Sequence, residues 1–499
     1  MPNATRASGQ HMNKLVAACL IVFAVVACGD SAGPYGRDIR LTIVSGDEQL
    51  GLQYTVLPET LVVEVVNPTG QAVAGAQLSF SPRPGSGRVL DADSVTDESG
   101  RAQFRWELGE AYRNEITVSL VEDPTASVTG SALARYLYVP PEQVGDGWEP
   151  SSLSAVGMDV ERFAIMMDQI RSGLYEEVHS VVVVKDGKLV FEQYFPGHDF
   201  GYSDAEFHGD WIQFDRNTRH NTHSATKSVV SSLVGIAIDR GLIVDEHQPV
   251  FSFFDEYASL NVGGKEAITI EHLLQMASGL EWHEWDAPIG TGQNSIEMFN
   301  SSANPTRYVL SQPLLHEPGT VFNYNGGTVN ILCRIVEKAA GERVDQFADD
   351  HLFGPMGVSN YNFPIHRTGD VVCHGDIYIT PRDMAKFGYM FLNGGVWQGQ
   401  RILSQAWIDK SVAPHISVRN FHLGWAEDYG YLWWLREYAV GGDTYPAFKA
   451  LGWGGQEIWV LPESDMVVVF TGANYTRTPP CDELMTSFVL PAMGGAEGN

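Results

Sequence analysis

The sequence predicts an α/β body in the larger, C-terminal part of the chain, preceded by a small all-β module. Three observations carry this. Period-two apolar alternation separated by turn clusters fills residues 38–138. Two apolar hairpins, Val178 to Phe195 and Glu457 to Thr471, enclose a long middle stretch with helical spacing. A length of 499 residues exceeds what one ordinary core organises.

The N-terminus reads as an address. A short apolar run from Leu15 to Val26 follows Lys14, too short to span a bilayer and shaped like a secretory signal. Met12 is an alternative start for it. The run ends in Val25-Val26-Ala27-Cys28, which resembles a bacterial lipobox. The resemblance implies cleavage before Cys28 and lipidation of its thiol, so residues 1–28 are expected to be a signal peptide and 29–37 a tether. Gly29 is not the Asp associated with inner-membrane retention, so the expected location is the outer membrane or periplasmic side of the envelope.

In the all-β module the alternating triplets are Leu61-Val63-Val65, Ala76-Leu78-Phe80, Ala102-Phe104-Trp106 and Ile116-Val118-Leu120. Asn67-Pro68-Thr69-Gly70 and Asp97-Glu98-Ser99-Gly100 supply turns. A sandwich resembling bacterial Ig-like domains is expected over 38–138, acting as a stalk or an envelope contact. Pro140-Pro141 and Gly145-Asp146-Gly147 mark a linker over 139–155.

The body, 156–499, opens with a helix from Asp159 to about Arg171, where Val160, Phe163, Met167 and Ile170 share a face. Asp186-Gly187 turns the first hairpin, and the first and last hairpins are expected to share a sheet. A helix is predicted to follow from Asp482. Between the hairpins, His223-Ser224-Ala225-Thr226-Lys227 leads into a buried apolar helix. A spacing of three puts Ser224 and Lys227 on one helical face, where an amine reaches a hydroxyl and the helix N-terminus favours developing negative charge.

Ser-x-x-Lys alone is a weak pattern, but its surroundings are ordered. Ile268-Thr269-Ile270-Glu271-His272-Leu273-Leu274 leads to Ser278-Gly279-Leu280, and Glu317-Pro318-Gly319-Thr320 precedes Tyr324-Asn325-Gly326. Thr380-Pro381-Arg382-Asp383 and Trp453-Gly454-Gly455-Gln456 follow. From about Trp148 to Leu490 these segments resemble the superfamily of class C β-lactamases, penicillin-binding DD-peptidases and related esterases, including its 6-aminohexanoate-dimer hydrolase-like branch. The resemblance implies a β-lactamase/transpeptidase-like fold with its active site between an antiparallel sheet and a helical region.

It also implies roles. Ser224 is the nucleophile, Lys227 its base and Tyr324 a proton relay, while the backbone N–H groups of Ser224 and Gln456 form an oxyanion hole. Gly326, Trp453, Gly454 and Gly455 border the substrate, with Trp282 and Trp285 as further stacking walls. Two positions depart from the family pattern. Gly326 stands where an Asn or Ser is usual, and Trp453 replaces the Lys that helps β-lactamases hold a substrate carboxylate. Both shift the expectation toward an esterase or amidase acting on a small neutral or aryl-bearing acyl compound. A DD-peptidase or β-lactamase, and a non-enzymatic envelope binding protein, are the alternatives.

Other classes are disfavoured. A net charge of −29 repels nucleic acid and anionic membrane surfaces, leaving the lipid anchor as the expected membrane contact. No cofactor is expected. His220 and His223 have ligand-like spacing without a completing residue nearby in sequence, so no metal is assigned. Gly29-Asp30-Ser31-Ala32-Gly33 fits a lipase nucleophile string but has no strand before it. Cys333, Cys373 and Cys481 permit at most one internal disulfide, with the pair unspecified.

Overall fold

The computed structural model describes residues 38–494 except 203, 289, 422, 423 and 425. The expected signal, lipobox Cys28, lipase-like string and tether therefore lie outside the described residues. The described residues divide into two compact units, one of residues 38–49, Val56–Leu108 and Asn114–Ala132, the other of Leu50–Thr55, Gly109–Arg113 and residues 133–494.

The N-terminal strands form two four-stranded sheets. One runs in the order Arg40–Ser45, Leu61–Val66, Arg101–Glu107, Arg88–Ala92, and the other Gln49–Leu52, Ser127–Arg135, Arg113–Leu120, Leu78–Pro82. Every residue of the four alternating triplets is buried except Phe80, which is half-buried and packs on Phe104 at 4.9 Å.

The larger unit is built on an eight-stranded antiparallel sheet. Its order is Lys188–Tyr194, Val178–Lys185, Met466–Gly472, Gln456–Leu461, Asp443–Gly452, Trp434–Val440, Asp428–Tyr429, Ile416–Ser417. The first and last hairpins of the body thus share one sheet, with Val181 opposite Phe470 and Val183 opposite Val468. These strands read as unbroken apolar runs because both faces are covered. Val181, Val183, Val468 and Phe470 face a core with the Val160–Arg171 helix, whereas Val182, Val184, Val467 and Val469 face the core of the large helical region.

Local chemistry sets the element ends. Asp159 caps the first helix by accepting from Glu161 N, and Thr380 caps Pro381–Leu392 by accepting from Asp383 N, with Pro381 in the first turn. Arg382 of that motif is buried and forms ion pairs with Glu192 and Asp146, so its role is structural. The helix predicted from Asp482 begins at Cys481 and runs to Leu484, continuing as a wide turn over Met485–Val489. Cys333 and Cys373 form the disulfide, and Cys481 is free and buried.

Candidate active site

Ser224 lies in the tight turn His223–Ala225, immediately before the helix Thr226–Asp239, rather than within the helix's first turn as the spacing predicts. The consequence for geometry is small, because the chain runs from this turn directly into the helix. Lys227 is 2% exposed, and its Nζ donates to Ser224 Oγ at 2.9 Å. A second bond from Nζ goes to the backbone carbonyl of His374. His223 has φ of +44°, an uncommon conformation for a residue with a side chain, directly before the half-buried Ser224.

Tyr324 completes the cluster. Lys227 Nζ sits 4.8 Å from its ring centroid, and its hydroxyl interacts with the Ser224 and Lys227 side chains. Burial raises the phenol's pKa, partly opposed by the Lys227 charge, so it holds its proton at neutral pH. The flanking asparagines fix its position. Asn323 N donates to Met276 O at 2.7 Å and its amide to Trp282 O at 3.2 Å, while Asn325 caps the helix Gly326–Ala340 through Thr328 N. Gly319 N donates to Ala277 O at 2.7 Å, so the segments around Ser278-Gly279 and Glu317-Pro318-Gly319 brace one another beneath the tyrosine.

The Trp453-Gly454-Gly455-Gln456 segment reaches the same place from the sheet. A Cβ on Gly452 would lie 2.1 Å from Thr222 O, so only glycine lets this strand end abut the nucleophile turn. Gly454 and Gly455 have φ of +83° and +94°. Trp453 is half-buried, with its indole N–H donating to Tyr475 O at 2.6 Å. Gln456 opens the next strand, and its side-chain amide is turned away to Gly472 O.

One expected wall is corrected. Trp282 is 3% exposed, donates to Glu284 at 2.8 Å and fills the space beside Gly327, so it is a core residue and not a substrate contact. Trp285 is 47% exposed and stacks on Tyr324 at 4.5 Å, with Trp434 stacked on the other members of the group at 5.9–6.0 Å.

Several neighbours have no signal in the linear pattern. Gly326 N donates to Glu284 Oε2 at 2.7 Å, so a carboxylate occupies the region where the family pattern would place an amide side chain. Behind Lys227, Asn330 donates to His374 Nδ1 at 2.9 Å, and its carbonyl oxygen accepts from Cys373 N at 2.9 Å. Burial pushes the His374 pKa down to about 4. His223 Nδ1 lies 3.1 Å from Asp376, the carboxylate that sequence proximity did not supply. Burial opposes ionisation of Asp376, but its bond to His223 prevails and holds it well below the usual range. His220 packs instead on Phe214 and His179, so His220 and His223 face different surroundings.

A family model described as Beta-lactamase matches residues 166–485. The chain is 26% identical over 269 residues to the 6-aminohexanoate-dimer hydrolase of Paenarthrobacter ureafaciens, covering 51% of this chain and 66% of that protein. It is 25% identical over 191 residues to Protein flp of Staphylococcus aureus, covering 37% of this chain and 34% of that one. The chain thus spans between about a third and two thirds of these relatives. Among solved structures, a family VIII carboxylesterase superposes with a TM-score of 0.51 at 17% identity, covering 67% of this chain and 98% of the other. A penicillin-binding protein homologue from Caulobacter crescentus gives the same TM-score, identity and coverages. Those two likenesses concern the fold, an α/β arrangement of antiparallel sheet and helices that the described residues share. Since the family match extends over well more than half the chain and includes Ser224, Lys227, Tyr324 and Gln456, the protein belongs to the Beta-lactamase family of serine hydrolase folds.

Proposed function

We propose that the protein hydrolyses an ester or amide bond of a small acyl compound through an acyl-enzyme on Ser224. The 2.9 Å contact between Lys227 Nζ and Ser224 Oγ carries this reading. Ser224 Oγ attacks the acyl carbon as Lys227 takes its proton, and backbone N–H groups of Ser224 and Gln456 receive the charge on the carbonyl oxygen. Collapse expels the alcohol or amine, with Tyr324 passing it the proton. Water then attacks the acyl-enzyme by the reverse relay, releasing the acid and restoring Ser224.

Substrate preference follows from the crevice rim. Trp453 offers no cation for a substrate carboxylate, and Glu284 beside Gly326 repels one. Trp285, 47% exposed and stacked on Tyr324, adds indole surface at the rim, which favours a neutral or aryl-bearing acyl group. The relative named 6-aminohexanoate-dimer hydrolase supports an amide among the accessible bonds.

The lipobox reading of Cys28 and the alternating strands of the N-terminal module support an envelope lipoprotein whose Ig-like module spaces the hydrolase from the membrane. The Cys333–Cys373 disulfide fits such an oxidising compartment.

Side-by-side turnover of a short-chain p-nitrophenyl ester and a chromogenic cephalosporin, with Ser224→Ala as control, tests the reaction. Ester cleavage that vanishes in the variant is expected. Dominant cephalosporin cleavage transfers the reading to a β-lactamase or DD-peptidase. No Ser224-dependent turnover of either, together with no Ser224 labelling by a fluorophosphonate, overturns the hydrolase reading in favour of a binding role.

A further inference from the structure

Glu177, His198 and His208 each offer a ligand atom within 4.8 Å of the other two, although the first and last are 31 positions apart in the chain. Glu177 precedes the strand Val178–Lys185, while His198 and His208 sit on the two strands of the hairpin Pro196–Phe200 and His208–Gln213. All three are half-buried, and the two imidazole rings lie parallel with centroids 4.4 Å apart.

We propose that these residues bind one divalent cation of the zinc class, which clamps this hairpin beside the active-site crevice. Two imidazoles and a carboxylate are a donor set suited to Zn(II), Co(II) or Ni(II), which bind nitrogen and oxygen at about 2.0–2.2 Å. The 2.8 Å hydrogen bond between Glu177 Oε1 and His198 Nδ1 already holds two of the donors side by side, and a tetrahedral shell would open that edge only to roughly 3.3 Å. Outer contacts are in place as well. His208 Nε2 faces the carbonyl of Ala473 at 3.1 Å, which can only accept, so the proton is on Nε2 and the lone pair on Nδ1. His179 Nε2 holds the other Glu177 oxygen at 3.2 Å. Glu206, 3.8 Å from His208 Nδ1, offers a fourth ligand or leaves the position to water. Binding through His198 Nδ1 requires the tautomer with its proton on Nε2, so the ligand stays a neutral imidazole.

The clamp connects to the crevice by short steps. Glu177 O accepts from Ala473 N at 3.0 Å, and the next residue, Asn474, donates its N–H to Gly454 O at 3.0 Å. The hairpin places Phe200 4.7 Å from the His223 ring and 5.2 Å from Tyr475, and the turn residue Phe207 lies 4.8 Å from Trp453. A cation fixing His198 and His208 to Glu177 therefore fixes the aromatic group that backs the residue before the nucleophile.

The full chain, dialysed against chelator, is titrated with zinc chloride by calorimetry and with cobalt chloride by visible absorption. One equivalent of saturable uptake with a low-symmetry cobalt spectrum is expected. Affinity falls at least ~10-fold in His198→Ala and in His208→Ala, and by about as much in the outer-contact variant His179→Gln. Ser224→Ala binds as the parent does. Absence of stoichiometric uptake by the parent overturns the proposal, as does unchanged uptake by a folded His198→Ala/His208→Ala double variant. X-ray absorption on the zinc-loaded parent provides a reading that no variant's folding affects. Two imidazole ligands support the site, and fewer than two overturn it.

Discussion

Lys227 Nζ is tied to the backbone carbonyl of His374, one residue beyond the disulfide-bonded Cys373. The base is therefore held from two sides. Its other contact is Ser224 Oγ, and the covalent link from Cys333, on the helix that starts two residues after Tyr324, fixes the segment carrying the carbonyl.

Reduction of the disulfide, or Cys333→Ser, is expected to affect stability and activity together. The bridge spans a sequence separation of 40, for which chain entropy gives a stabilisation of up to about 4 kcal/mol. Chemical denaturation with and without reductant measures the first effect. Ester turnover below the transition measures the second, and an unchanged rate in the reduced, folded protein would detach the disulfide from the positioning of Lys227.

Stability should fall as pH drops from about 6.5 to about 4 through the burial of His374. The unfolded chain takes up this proton near 6.5, whereas the folded protein resists until about 4. Between those values the unfolded state binds more protons, so acidification favours it, by up to about 3 kcal/mol for this residue. Asn330 enforces the neutral ring, since its oxygen accepts from Cys373 N and its NH2 must donate to Nδ1. Denaturation midpoints across this range should show a shallower slope in His374→Gln. An identical slope would assign the pH response elsewhere.

Tyr324→Phe removes the relay while leaving the aromatic stack with Trp285 and Trp434 in place. Turnover should drop ~10²–10⁴-fold with little change in KM. A rise in KM alone would make the hydroxyl a binding group only.

Trp285→Ala should discriminate between acyl groups. Loss of a stacking face is worth about 0.5–1.5 kcal/mol, so kcat/KM for a p-nitrophenyl benzoate should fall roughly 2- to 10-fold relative to the acetate. Equal losses on both esters would show that the indole shapes Tyr324 and does not contact substrate.

Lys449 is buried between Asp482 and Glu457, the residue that follows the oxyanion candidate Gln456 on its strand. Burial alone would disfavour its charge, but the two carboxylates keep it protonated. Lys449→Met should cost on the order of 3–5 kcal/mol because buried Glu457 loses its counter-charge, Asp482 keeping Arg436, and adding Glu457→Gln should recover much of that. Urea melts of the single and double variants decide this, and a single variant as stable as the parent would refute the pairing.

What the sequence determined by itself rests on short-range periodicity. A spacing of three brings Ser224 and Lys227 together wherever a helix follows, and unbroken apolar runs such as Val181 to Val184 call for a strand covered on both faces. Alternation identified the buried positions of the N-terminal strands for the same reason. The tertiary structure decided whatever depends on the path of irregular chain. Trp282 and Trp285 lie in a segment without helix or strand, so no period tells which ring is buried and which faces the crevice. The Cys333–Cys373 pairing, the His374 carbonyl behind Lys227, the Asp376 partner of His223 and the Glu177–His198–His208 cluster join residues 10 to 153 apart in number. Such contacts are set by how loops close over a packed core, and local backbone preference carries no record of them.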